Sequence, residues 1–431
     1  MKESKFNVFY EAKSNSQKIL AYNSRSNALA TINLDDFYKF KSCASSGNYD
    51  NLDKTFKKDL EAGYFIIEDS VDELDILRYE QQSARHNSQH LALTIAPTLG
   101  CNFDCIYCYE KEHGDFHVMS HEIQEAILDF ISQNASTINQ LSITWYGGEP
   151  LLSFDLIKDF SKKVINLCQE YNIAYSAVIV TNGYLLTEKI SKEFKELNIV
   201  GVQITLDGPE DIHDTRRPLQ GGQGTFTKII ENLKKCIEYL PNTSLRINVD
   251  QANKDRIYEV MDILKDNGLT KVFPYLGYVE PTNEQYEKEQ CLTVNDFAKL
   301  EYNFENSIGD EYSNNKYPRL VSNNCCADSR NAFVIDPYGN LYKCWSDIGL
   351  EEYCLGNVLS GIDNKSRIYE YALYDPTMDQ QCKECNILPI CMGGCPRRRI
   401  DNIDNRCSVY KYALESYLQT IFNNSTINEQ I

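Results

Sequence analysis

Cys101, Cys105 and Cys108 stand in the string TLGCNFDCIYCYE, a Cys-x3-Cys-x2-Cys spacing. Three thiolates on one short loop can hold three irons of a cubane cluster and leave the fourth iron without a protein ligand. An amine and a carboxylate of a small molecule can chelate that open corner. A structural zinc site, the alternative, favours paired cysteine knuckles closed by four ligands. A second concentration of thiols lies downstream, where nine of the 16 cysteines fall between Cys325 and Cys407. They run as Cys325, Gly339-x4-Cys344, Cys382-x2-Cys385-x5-Cys391-x3-Cys395 and Cys407, with Cys326 and Cys354 beside them. A cysteine-dense tail on a cysteine-poor body indicates a metal-bearing C-terminal region, iron–sulfur or a zinc ribbon. Cys43, Cys168, Cys236 and Cys291 are expected to be packing residues.

The elements that must carry these residues are legible in the periodicity. From residue 91 to about 280, apolar runs alternate with polar turns and amphipathic helices. The strands are expected at Leu91–Ala96, Leu141–Tyr146, Ala177–Val180, Gly201–Leu206, Leu245–Val249 and Lys271–Tyr275. The helices between them, such as HEIQEAILDFISQ and FDLIKDFSKKVINLCQEY, repeat apolar residues every three or four positions. Six successive βα units predict an α/β fold, a parallel sheet closed partly into a (β/α)6 TIM-like barrel. Active sites of such sheets sit at the strand C-termini, where the three-cysteine loop falls. Three further segments fall there too: Trp145-Tyr146-Gly147-Gly148-Glu149-Pro150, Thr181-Asn182-Gly183, and TLDGPEDIHDTRR at 205–217. Arg246, at a strand end, suits a carboxylate or an ion pair under the barrel.

Ahead of this core, residues 1–85 read as strands, two short helices and a last strand, a winged-helix-like module with a helical linker. Residues 281–320 read as an acidic bridge with a helix near VNDFAKLEYNFENS. Residues 408–421 read as a terminal helix with a frayed end. The expected domains are 1–85, 90–300 and 320–420.

Composition narrows the partners. A net charge of −19 over 431 residues disfavours nucleic acid, which needs a basic surface. No run of 18 apolar residues occurs, so no membrane span is expected. The opening MKESKFNVFY lacks an apolar signal core. A cytoplasmic, reducing address follows as the expectation, with thiols rather than disulfides. The Arg397-Arg398-Arg399 run is expected to be a solvated or ion-paired face.

Cys-x3-Cys-x2-Cys with Tyr107 before the third cysteine resembles the signature of radical S-adenosylmethionine (SAM) enzymes. The four segments in register strengthen that resemblance, and the tail resembles the SPASM domain, an extension with two auxiliary clusters. The resemblance implies a [4Fe–4S] cluster on Cys101, Cys105 and Cys108 that binds and reductively cleaves SAM. It implies SAM contacts at Tyr107, Gly147, Gly148, Glu149, Thr181, Asn182, Asp207 and Arg246. It implies one auxiliary [4Fe–4S] cluster on Cys325, Cys344 and Cys395 and another on Cys382, Cys385, Cys391 and Cys407. Cys326 or Cys354 is a spare ligand, and Cys325 and Cys326 compete for one place. The N-terminal module resembles the leader-recognition element of ribosomal-peptide maturases. A precursor peptide with a leader and a reducing partner such as flavodoxin or ferredoxin are then implied. The implied reaction is a cysteine thioether cross-link in that peptide. The alternatives are carbon–carbon or carbon–oxygen cross-linking, formylglycine formation in sulfatases, and a non-catalytic iron–sulfur carrier. Sulfatase maturases carry Asp after the cysteine matching Cys344; here Trp345 stands there.

Overall fold

The computed structural model describes residues 1–110, 116–280, 286–308, 317–322, 325–403 and 407–428. The chain divides into two compact units. One holds Met1–Arg85, Thr293–Cys325 and Leu373–Ile431; the other holds His86–Leu292 and Cys326–Ala372. The three-part division expected above cuts the chain differently, because strand pairing and helix packing bring separated segments together.

In the first unit, β1 (Lys2–Glu3) pairs antiparallel with β5 (Ile66–Ile67). Between them, β2 (Asn7–Glu11), β3 (Lys18–Asn23) and β4 (Ala28–Asn33) form an antiparallel meander. Helices Leu34–Ser46 and Lys54–Ala62 follow it. Asp53 caps the second of these by accepting from the Thr55 and Phe56 amides. One face of the module closes over Phe40, Leu60 and Phe65. Its other face, through Val8 and Tyr22, shares a core with Ile387, Ile390, Leu414 and Leu418. The sequence patterning shows that both faces of this small sheet are apolar, but not what covers the second one. The bridge helix is Val294–Ser307; residues 281–285 and 309–316 of the expected bridge lie outside the described residues. The terminal helix runs over Tyr410–Asn428, further than expected.

The second unit is built on one sheet. Strands β6 (His90–Ile95), β7 (Gln140–Trp145), β8 (Ala174–Val180), β9 (Ile199–Thr205), β10 (Asn242–Val249) and β11 (Val272–Tyr278) pair in parallel, each beside the next. These are the six expected strands. Ile95, Ile143, Ile179, Ile204 and Ile247 are buried on them, and helices such as Phe154–Glu170 bury Ile157, Phe160 and Val164. The sheet continues beyond the six: β12 (Ala332–Ile335) pairs in parallel with β6, and β13 (Leu341–Tyr342) pairs antiparallel with β12. The expectation assigned these residues to a separate tail domain. AFVI is too short to carry a strand signal of its own and is stabilised by the sheet edge it joins. Cys168 and Cys236 are core residues, as expected, and Cys43 and Cys291 are buried as well.

One titration follows from the first unit. Burial, with Glu305 nearby, pushes the Glu301 carboxyl up to about 8. The folded chain therefore holds a proton there that the unfolded chain releases, so stability falls as pH rises from the ordinary carboxylate range towards about 8. Glu301→Gln should flatten that decline. Urea unfolding on both sides of the window checks it; an unchanged slope excludes Glu301 as its source.

Candidate active site

Because β6 to β11 are parallel and in sequence order, their C-terminal ends share one edge. Ile95 is level with Trp145, Trp145 with Ile179, and Val249 with Tyr278. All four motif segments leave the sheet there and enclose a cavity of about 460 Å³. Cys101, Cys105, Tyr107, Cys108, Gly147, Gly148, Thr181, Asn182 and Arg246 line it. Glu149 and Asp207, expected beside them, do not.

The cysteine loop is clamped from two sides. On one side it pairs with the segment after the fourth motif. The Asp104 amide donates to the Pro218 carbonyl at 2.9 Å, the Ile106 amide to Arg216 at 3.1 Å, and the Gln220 amide to Asn102 at 3.0 Å. On the other side lie the two glycines. A Cβ on Gly147 would run into the Thr98 carbonyl oxygen, and one on Gly148 into the carbonyls of Leu99 and Gly100. Gly147 also has φ +108°, in the region that favours glycine. The glycines thus serve the approach of the cysteine loop to the end of β7. The neighbouring carboxylate is engaged within the protein. Glu149 is fully buried and accepts from the Leu151 amide at 2.9 Å, Thr181 Oγ1 at 2.7 Å and the Asn182 amide at 2.7 Å. It ties the second motif to the third. Asn182 carries the tie onward, its Nδ2 donating to Asn102 Oδ1 at 2.8 Å.

Tyr107 is the hub of the opposite wall. Its hydroxyl donates to Asp207 Oδ2 at 2.6 Å and accepts from Arg217 Nη1 at 2.8 Å and Asn248 Nδ2 at 2.9 Å. Asp207 is fully buried and also takes Arg216 Nε at 3.1 Å; Arg216 reaches Asp250 at 2.5 Å. This buried Asp–Arg–Asp chain is a strut, and removing one member would strand the others' charge. Asp207 therefore acts behind the cavity wall rather than at its surface.

The residues that sequence reasoning missed are the cations and aromatics of the wall. Arg217 is 7% exposed, lines the cavity, and leaves its Nε without a hydrogen-bond partner among the described residues. Its charge acts against burial at Cys105, whose thiol is pushed up by desolvation and drawn down by Arg217. The doubled arginine of DTRR was its only sequence signal. Tyr109 and Tyr146 hydrogen-bond through their hydroxyls, and Tyr146 lies 4.6 Å from the Trp345 ring. Burial pushes the adjacent Glu110 carboxyl up to about 7. Arg246 makes one guanidinium hydrogen bond among the described residues, to Asn248 Oδ1 at 2.7 Å. No acidic partner among the described residues answers the ion-pair expectation. Gly277 leaves room for this side chain, since a Cβ there would meet its guanidinium.

The residues fit a cluster better than a single ion. Among the described residues, no three His, Cys, Asp or Glu converge closely enough to hold one metal. A cubane takes each thiolate on a different iron and so spaces the sulfurs more widely. Burial pushes the Cys101 thiol up to about 12 and raises Cys105 and Cys108 as well. Metal binding must therefore displace their protons, and the unpartnered Arg217 Nε–H beside Cys105 suits the anionic cluster.

Residues 95–264 match the Radical SAM superfamily. The chain carries a radical SAM domain and is a radical SAM enzyme. It is related to sulfatase maturases and to peptide-modifying enzymes of the SPASM type. It is 26% identical over 347 residues to the cysteine-type anaerobic sulfatase-maturating enzyme of Clostridium novyi, covering 73% of this chain and 90% of that one. It is 25% identical over 449 residues to the radical SAM cyclopropyl synthase TigE of Paramaledivibacter caminithermalis, covering 93% and 88%. The structure of Streptococcus suis SuiB bound to precursor peptide SuiA superposes with a TM-score of 0.54 at 17% identity, over 95% of this chain and 97% of that one.

Gly148→Ala should cost about 1–3 kcal/mol of strain at the loop. Iron and sulfide content after reconstitution should fall, with far-ultraviolet circular dichroism retained. Full cluster content in this variant would refute the close-approach role.

Proposed function

We propose that this enzyme abstracts hydrogen from a ribosomally made precursor peptide and closes a cross-link in it, a thioether from a cysteine sulfur to a peptide carbon. When bound at Cys101, Cys105 and Cys108, the [4Fe–4S] cluster and SAM supply the 5′-deoxyadenosyl radical that takes the hydrogen atom. The chain's residues do the rest. Arg246, charged and without an acidic partner among the described residues, takes the SAM carboxylate. The backbone at Gly147 and Gly148, with Thr181 and Asn182, borders the rest of SAM. Tyr107, held by Asp207, Arg217 and Asn248, keeps the cluster loop in place.

Trp345 carries the choice of reaction. It follows Cys344, lines the cavity and packs on Tyr146, so the position after Cys344 supplies no carboxylate to take a proton from a substrate being oxidised to formylglycine; the glutamates that line the cavity, Glu110 and Glu280, come from other segments. Aromatic walls instead suit two peptide side chains brought together. The reading extends to the auxiliary clusters, one on Cys325, Cys344 and Cys395 and one on Cys382, Cys385, Cys391 and Cys407. They would take the electron released on bond closure. Residues 1–85 would bind the leader, and a flavodoxin or ferredoxin would reduce the first cluster. The match to a cyclopropyl synthase over most of the chain favours a second reading, a carbon–carbon bond made by the same cavity.

Anoxic protein, dithionite and SAM should give 5′-deoxyadenosine, and Cys101→Ala should give none. The peptide product should lose two hydrogens per bond, with the bonded cysteine no longer alkylated. Full alkylation at that mass would select the carbon–carbon reading, and formylglycine in a sulfatase peptide would displace both. Arg246→Gln should weaken SAM binding about 10–100-fold, the loss of a charge-assisted contact; unchanged affinity by equilibrium dialysis excludes that contact.

A further inference from the structure

Arg399, expected on a solvated or ion-paired face, is 6% exposed, in the first unit with Cys382, Cys385, Cys391 and Cys407. Helix Pro396–Ile400 presents it, and its guanidinium is bound by protein groups. Nε donates to the Gly393 carbonyl at 2.7 Å, Nη1 to Gln381 Oε1 at 3.3 Å, and Nη2 to Cys407 Sγ at 3.6 Å. Asp379 Oδ2 lies 3.9 Å from Nη1, while its other oxygen caps the helix carrying Cys382 by accepting from the Gln381 and Cys382 amides. Met392, Gly393 and Gly394 have φ values of +42°, +85° and +73°, a turn that brings the Gly393 carbonyl to Arg399 on the way from Cys391 to Cys395.

The surroundings of Cys382 are largely apolar. Cys382 and Cys391 are buried, and Phe6, Leu77, Leu388 and Met392 pack around Cys382. The Tyr374 hydroxyl, buried nearby, has no hydrogen-bond partner among the described residues. A cubane on four thiolates is a dianion when oxidised and a trianion when reduced. Gaining that electron in an apolar setting is unfavourable unless a fixed cation faces the cluster.

We propose that Arg399 is the positioning and charge-compensating residue of the cluster on Cys382, Cys385, Cys391 and Cys407, and that it raises the reduction potential of that cluster. The proposal rests on the auxiliary-cluster reading above and adds the residue that sets the cluster's redox poise. The electron enters the cluster from the peptide as the cross-link closes, and leaves to an external one-electron acceptor such as oxidised flavodoxin.

The test uses the reconstituted full chain, with iron and sulfide analysis and a redox titration followed by electron paramagnetic resonance. Wild-type protein should hold iron for three clusters. Arg399→Gln should either lower one cluster's midpoint, so that its reduced fraction at fixed poise falls by on the order of tenfold, or lose that cluster. Arg399→Lys, which keeps the charge, should restore whichever property Gln removes. Three clusters with unchanged potentials in Arg399→Gln would overturn the role of Arg399 alone, as would failure of Lys to restore. Iron for only one cluster in the wild type would instead overturn the auxiliary-cluster reading beneath it.

Discussion

The approach of two backbones governs the site. The loop bearing Cys101, Cys105 and Cys108 lies so close to the end of β7 that side chains at Gly147 and Gly148 would collide with its carbonyls. With that contact made, Glu149 can reach Thr181 and the Asn182 amide, and Asn182 can reach back to Asn102. Three segments far apart in sequence become one wall. Parallel strands of matched register are the precondition, since only they deliver all four segments to one edge.

Burial of charge is the second theme. The chain is strongly acidic, yet arginines are what it buries beside its thiols. Arg216 joins Asp207 and Asp250 in a desolvated chain, Arg217 stands by Cys105, and Arg399 by Cys407. Buried ion pairs contribute little net stability and impose geometry instead. Here that geometry keeps cysteine loops in place and sets fixed positive charge where an anionic cluster belongs. The apolar wall of Tyr146 and Trp345 complements it by limiting water near the cavity.

Much of the second unit was legible. The six strands fall within a few residues of their expected places, because period-two and period-3.6 patterns report burial directly. Cys168 and Cys236 read correctly as core. The hydrogen bonds that hold Glu149 and Asp207 within the protein were not legible, because a carboxylate's residue type is the same whether it faces a ligand or accepts three protein hydrogen bonds. For Arg399 the ion-paired alternative held, with Asp379 Oδ2 3.9 Å away, but its burial against Cys407 was not legible in an arginine triplet.

The local code of this chain specifies its chemistry. Cysteine spacing, paired glycines and strand periodicity depend on neighbours a few residues away, and they suffice to identify a radical SAM enzyme. Partnership across long separations needs the folded chain. Which sheet edge takes β12, what covers the second face of the N-terminal meander, and which arginine meets which thiol depend on contacts between residues up to several hundred positions apart. No local pattern records them, because each partner's sequence is compatible with many surroundings and packing selects one.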